Sequence, residues 1–145
     1  MAKLALKGGK PVRSQPFPKW PIFAGKELEA LKSVLESGFW GIGGPKKKEF
    51  EDRFAAYQHA KYGVAVTNGS AALEISLRAL QIGCGDEVIV PPYTFMATVV
   101  AVLYVNSVPI FADIDPETYT IDPASVESVI SDRTKAILPV HISGR

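Results

Sequence analysis

The segment Gly63-Val64-Ala65-Val66-Thr67-Asn68-Gly69-Ser70-Ala71-Ala72-Leu73 has the residue types of an anion site. The apolar residues up to Thr67 read as a strand, Asn68-Gly69 as a sharp turn, and the rest as a helix. In that arrangement the amides of Gly69, Ser70 and Ala71 are first-turn donors without an intrahelical acceptor. They sit at the positive end of the helix dipole. A phosphate suits such a helix start, and the Ser70 hydroxyl adds one more donor. A well-capped turn with no ligand uses the same residues, and the segment alone leaves both readings open. It has neither the Gly-Lys-Ser/Thr of a P-loop nor the glycine spacing of a dinucleotide fingerprint.

Other candidates are spread along the chain. Val90-Pro91-Pro92-Tyr93-Thr94-Phe95-Met96-Ala97-Thr98 follows a second expected strand, at the carboxyl edge where open α/β sheets bind ligands. Tyr93 or Phe95 there could stack on a flat heteroaromatic ring, or could pack in the core. His141, at the end of the last expected strand, lies on the same edge. It could act as a general base or hold a ligand by hydrogen bonding. The glycine-rich loop from Gly38 to Pro45 carries Trp40 and Gly41, and by itself is a connector. Lys46, Lys47 and Lys48 form a basic run that is either a solvated helix start or an attractor of anions. Asp113, Asp115, Glu117 and Asp122 bring carboxylates together, but turn and cap roles account for them, so no metal is expected. His59, beside Lys61, is expected at the surface.

These side chains need elements to position them. Residues 1–24, with Pro11, Pro16, Pro18 and Pro21, read as an extended arm. Its Phe17, Trp20 and Phe23 are expected to pack on their own domain or on a second subunit. Residues 25–145 read as a single domain. Helical spacing predicts helices over Lys26–Ser37 (Leu28, Leu31, Val34 and Leu35 on one face, Gly38 ending it), Lys46–Gln58 (Phe50, Phe54 and Tyr57 on one stripe) and Ser70–Gln81 (Leu73, Leu77 and Leu80 inward). Phe95–Tyr104 is expected to be helical because it lies between two strands, and Pro123–Ile130 starts on Asp122 as N-cap. Strands are expected at Tyr62–Thr67, Glu87–Val90, Val108–Ala112 and Lys135–Val140. Alternating strands and helices imply a mainly parallel α/β sheet with right-handed crossovers.

The composition sets bounds. The chain has 145 residues, 47% of them apolar and 21% charged, with a net charge of +1. Neither nucleic acid nor an anionic membrane surface is an expected partner. No apolar stretch approaches the roughly 20 residues needed to span a bilayer, and the first residues lack a signal-peptide h-region. A single cysteine, Cys84, excludes an internal disulfide and fits a cytoplasmic setting. The sheet looks unfinished where the sequence stops after a strand, which suggests a truncated chain.

The ordered set of segments resembles the DegT/StrS family of pyridoxal-phosphate (PLP) aminotransferases. The resemblance is carried by Ser37-Gly38-Phe39-Trp40-Gly41-Ile42-Gly43-Gly44 leading into Glu49-Phe50-Glu51, and by Ala65 through Leu73. It continues through Gly83-Cys84-Gly85-Asp86-Glu87-Val88-Ile89-Val90-Pro91, Thr94-Phe95-Met96-Ala97-Thr98 and Phe111-Ala112-Asp113-Ile114-Asp115. Asp122-Pro123 and Thr134 through His141 complete it. Phe17-Pro18-Lys19-Trp20-Pro21 and Trp40 are similar to the 3-amino-5-hydroxybenzoate synthase branch.

The resemblance implies the N-terminal part of a fold-type I PLP transferase, α/β with a mainly parallel sheet, that works as a cytoplasmic homodimer with shared active sites. It implies that Gly69, Ser70 and Ala71 hold the PLP phosphate and that Phe95 stacks on the pyridine ring. Trp40, Gly41, Tyr93 and His141 are the candidates near the substrate or the partner's site. The implied reaction moves an amino group from glutamate to a small-molecule keto sugar, nucleotide-linked, in polysaccharide or secondary-metabolite biosynthesis. Aminocyclitol and aminoshikimate-type acceptors are compatible too. No catalytic residue is expected within the chain: the family's catalytic lysine and the aspartate for the pyridine nitrogen fall beyond Arg145. The 145 residues alone are therefore expected to be inactive. A non-catalytic truncated family member and a lysine-lacking sugar dehydratase of the same family are the alternatives.

Overall fold

Local chemistry accounts for where each helix starts and stops. The computed structural model describes residues 3–145; Met1 and Ala2, the first two residues of the expected arm, lie outside the described residues. Two compact units result, one ending at Gly63 and the other running from Val64 to Arg145.

The first unit holds two helices. Helix α1 spans Gly25–Ser37. The Ala24 N–H donates to the Glu27 carboxylate at 2.8 Å, and Gly38 ends the helix at φ 70°, a left-handed conformation suited to glycine. Helix α2 spans Pro45–Tyr57 with Pro45 at its first position. Its three lysines pair forward with Glu49, Glu51 and Asp52, so the basic run is a solvated, charge-balanced helix start. The chain then passes close to α2 at Gly63, where a Cβ would lie 2.6 Å from the Glu51 carbonyl oxygen. Leu28, Leu31 and Leu35 of α1 are each more than 60% exposed, and the stacked Phe50 and Phe54 (5.6 Å) are also exposed. Among the described residues of this unit, Ala55 is the one fully buried apolar side chain. The arm's Phe17, Trp20 and Phe23 are exposed, with the Arg13 guanidinium 4.5 Å over the Phe17 ring.

The second unit holds the sheet: β1 (Glu87–Val90), β2 (Val108–Phe111) and β3 (Thr134–Ile137), in the order β2-β1-β3 and all parallel. Pro109 lies in β2, at an edge of the described sheet, where a missing donor is tolerated. Strand β1 is covered on both faces because successive side chains alternate. Val88 and Val90 pack with Leu77, Ile82, Ala101, Val102 and Val105, against α3 (Gly69–Ala79) and α4 (Ala97–Tyr104). Ile89 packs with Ala112 and Val126, the latter from α5 (Pro123–Val129). Burial of each such side chain is worth about 1.5–3 kcal/mol. Asp122 caps α5 as expected, accepting the Ala124 N–H at 3.0 Å.

Three expectations are corrected. Residues 62–66 have no regular secondary structure and join no ladder, and Tyr62 and Val64 are exposed. Alternation records a conformation; a strand also needs a ladder with a neighbour's backbone, and this segment pairs with none of β1, β2 and β3. Leu80 points outward at 68% exposure because α3 closes at Ala79, whereas Leu77 is buried and Leu73 packs on the core. Strand β3 ends at Ile137, short of Val140, although the Leu138 N–H still donates to the Ile89 carbonyl.

Candidate functional site

The start of α3 is an open donor cluster. Asn68 is its N-cap: the Oδ1 accepts the Ala71 N–H at 2.9 Å, and the carbonyl accepts the Ala72 N–H at 3.1 Å. The amide expected from Ala71 is thus engaged by the cap. Among the described residues the amides of Gly69 and Ser70 and the Ser70 hydroxyl have no acceptor. Gly69 is exposed and a Cβ placed on it would meet nothing within 4 Å, while Ser70 is half-buried. Three donors at the positive end of a helix fit a phosphate's oxygens.

The packing of α3 against α4 fixes where that cluster sits. Arg78, near the end of α3, donates through Nη2 to the carbonyl of Tyr104, the last residue of α4, at 2.9 Å. Leu73 and Val99, nearer the two starts, meet the same core. The helices therefore run the same way. From those ends back to their starts they measure roughly 14 and 11 Å, which leaves the starts within about a turn of level. Since α4 follows the carboxyl end of β1, Gly69 and Ser70 lie on the carboxyl edge of the sheet with Phe95.

On this edge Pro91 is buried, and Phe95 is 78% exposed, outside the two core clusters of the described residues. Tyr93 lies 5.9 Å from Tyr119 between ring centroids. Together with Glu117, Ser143 and Arg145 they wall a cleft of about 340 Å³. The Nδ1–H of His141 donates to the Arg145 main-chain oxygen at 2.7 Å, and Nε2 has no partner among the described residues. Trp40 and Gly41 belong to the first unit. There they line a cleft of about 180 Å³ with Ser33, Ser37, Lys46 and Lys47, and the Trp40 Nε1–H donates to the Leu35 carbonyl at 3.2 Å.

Apart from Glu117 in the cleft wall, the nearby carboxylates are committed to other bonds. Asp115 accepts the N–H groups of Thr118 and Glu117, which hold it below the usual aspartate range. Asp113 accepts the Ile114 N–H, and Asp122 caps α5. Glu87 lies at the opposite, amino edge of the sheet. It accepts from the Ser131 hydroxyl and from Arg133 (2.8 and 2.6 Å), and these bonds hold its carboxyl below the usual glutamate range. That network ties β3 to β1 and takes no part in the ligand edge.

Sequence reasoning missed three features of this edge. The side-chain cap from Asn68 was legible in its position before a helix start. The pairing of Thr94 with Thr98 was legible in their four-residue spacing, which puts both on one face. Tyr119 gave no local signal, because its contact with Tyr93 joins segments that follow different strands.

Residues 21–145 match the DegT/DnrJ/EryC1/StrS aminotransferase family. The L-glutamine:2-deoxy-scyllo-inosose aminotransferase of Streptomyces paromomycinus is 46% identical over 145 residues, covering 96% of this chain and 34% of that protein. The crystal structure of 3-amino-5-hydroxybenzoic acid synthase is 40% identical with a TM-score of 0.86, over 91% of this chain and 35% of the other. NtdA of Bacillus subtilis, crystallised with bound cofactor PMP, is 43% identical with a TM-score of 0.78, over 81% of this chain and 27% of the other. The chain spans about a third of the length of the relatives it matches.

Proposed function

We propose, from the premise that the chain belongs to the DegT/DnrJ/EryC1/StrS aminotransferase family, that the protein works as a PLP-dependent aminotransferase moving the amino group of L-glutamine to a keto-cyclitol. The fold is that of fold-type I PLP aminotransferases, and PLP is the cofactor of the family. The observation that carries the reading is the unpaired donor cluster of Gly69 and Ser70 on the same edge as the exposed ring of Phe95.

When bound, the cofactor supplies an electron sink for the carbon that bears the migrating amino group. The chain's own residues do the holding. The amides of Gly69 and Ser70 and the Ser70 hydroxyl bind the phosphate, with Ala71 completing the turn around it. Phe95 covers one face of the pyridine ring and keeps water from it. His141 offers Nε2 to a substrate hydroxyl, and Tyr93 walls the approach. Trp40 and Gly41 are assigned to the substrate or to the partner's site in a homodimer. The uncovered apolar face of α1 supports association with a second copy. A cytoplasmic location belongs to the same reading.

The sequence left aminocyclitol acceptors compatible beside its first expectation. Glutamate and a nucleotide-linked keto sugar were expected, while the Streptomyces paromomycinus relative is named for L-glutamine and 2-deoxy-scyllo-inosose. The cyclitol reading rests on that similarity. Its test is amino transfer by the protein at its native length, with glutamine as donor, offered 2-deoxy-scyllo-inosose or a nucleotide-linked keto sugar. The cyclitol should be the better acceptor by kcat/KM. Preference for the nucleotide-linked sugar would reassign the acceptor, and no transfer to either would overturn the proposal.

A further inference from the structure

We infer that Thr94 and Thr98 form a positioning pair that sets the direction in which Phe95 presents its ring to the cofactor. The inference rests on the assignment of Phe95 to the cofactor ring made above.

Phe95 has an unusual combination of features. Its ring is 78% exposed, so packing does not lock its orientation. A side chain that must meet a flat ligand at a fixed angle needs support from its surroundings. Here the support reaches the backbone. The Phe95 carbonyl accepts from the Thr98 N–H at 3.0 Å and from the Thr94 hydroxyl at 3.4 Å. The two threonine hydroxyls lie 2.8 Å apart. Each hydroxyl has one proton. With the Thr94 proton directed at the Phe95 carbonyl, the Thr94–Thr98 bond takes its proton from Thr98. In that arrangement a chain of two donations runs from Thr98 through Thr94 to the carbonyl of Phe95.

The location of Thr98 strengthens the case. It is 6% exposed and sits in α4 among Ala97, Val99, Val100, Ala101 and Val102. Packing alone favours valine there, since a buried hydroxyl gains nothing over a methyl unless it is paired. Among the described residues its side-chain partner is Thr94, four residues back, on the turn that carries Phe95. The hydroxyl is therefore accounted for by holding that turn against the buried start of α4. Thr94 and Thr98 act through Phe95, and neither is placed in contact with the substrate.

The test uses pyridoxamine 5′-phosphate as probe and the protein at its native length. Two quantities are read: affinity, and the circular dichroism induced in the bound ring. Thr94→Val removes the donor at nearly constant volume and should weaken affinity about fivefold, the size of one lost hydrogen bond. It should also diminish the induced signal. Thr94→Ser keeps the hydroxyl and should restore both. Thr98→Val should reproduce Thr94→Val while unfolding at a temperature close to that of the parent, and it carries the test where Thr94→Val does not fold. Parent-like affinity and dichroism in the valine variants would overturn the inference. Phe95→Leu separates the two levels of the argument. If it lowers the dichroism while the valine variants do not, the positioning role falls and the ring assignment stands. If Phe95→Leu also leaves both quantities unchanged, the ring assignment itself falls.

Discussion

Helices α1 and α2 in the unit ending at Gly63 are as regular as those of the unit from Val64 to Arg145, but their apolar residues fare differently. Leu28, Leu31 and Leu35 stay exposed, whereas Val88, Ile89 and Val90 have no exposed surface. The contrast separates two causes that act together in most domains. A capping carboxylate from Glu27, a left-handed glycine at position 38 and Pro45 at a first helical position define where helices start and stop. They do so whether or not the apolar stripe is covered. Burial needs a second layer, which β1 supplies in the latter unit by presenting alternate residues to α3–α4 and to α5. Helices of about a dozen residues are marginal in water without such a layer, so the stripe of α1 requires a covering surface to be stable.

The largest expected effect that sharpens this contrast is in the core. Ile89→Ala should cost about 3 kcal/mol, read from chemical denaturation. A cost under about 1 kcal/mol would mean that the sheet core is looser than the packing of Ile89 against Ala112 and Val126 implies. The Glu87 network comes next and is read by pH. Hydrogen bonds from Ser131 and Arg133 lower the Glu87 pKa in the folded state, so over the range between the two pKa values the unfolded chain binds more protons. The contribution is complete above about pH 4.3, the ordinary glutamate value, and is lost as pH falls through the lowered folded value. Glu87→Gln should flatten that acid limb, and an unchanged limb would remove Glu87 from the account. The helix caps are smaller: Asn68→Ala and Asp122→Ala should each cost about 1 kcal/mol. The smallest effect is in the exposed unit of the dissociated chain, where Leu31→Ala should stay within about 0.5 kcal/mol. A cost approaching that of Ile89→Ala would show that a partner covers the α1 face in solution.

Much of the fold was legible because its signals are local. The five helices lie within a few residues of where spacing, caps and glycines place them, α4 included despite its valines, because the flanking strands left it the connecting role. What was not legible depended on partners. Tyr62–Thr67 has the alternation of a strand, but nothing in that alternation names a neighbour for it. Leu80 fits the helical period but falls one residue past the end of α3. The donor cluster was legible from Asn68-Gly69-Ser70 alone, since helix starts expose amides by construction. Capture of the Ala71 amide by Asn68 was legible from an asparagine placed before a helix start, whereas the approach of Tyr119 to Tyr93 joins segments distant in sequence and gave no local signal. The exposure of Phe95 was likewise not legible from its local sequence.

The central claim is that the start of α3 holds a phosphate, and the direct test compares pyridoxamine 5′-phosphate with pyridoxamine by calorimetric titration. The account predicts that the phosphorylated compound binds about a hundredfold tighter, and that Ser70→Ala removes roughly tenfold of that difference, in line with the loss of one hydrogen bond to a charged group. Equal affinity for the two compounds, or a Ser70→Ala variant that binds the phosphate as well as the parent, would contradict it.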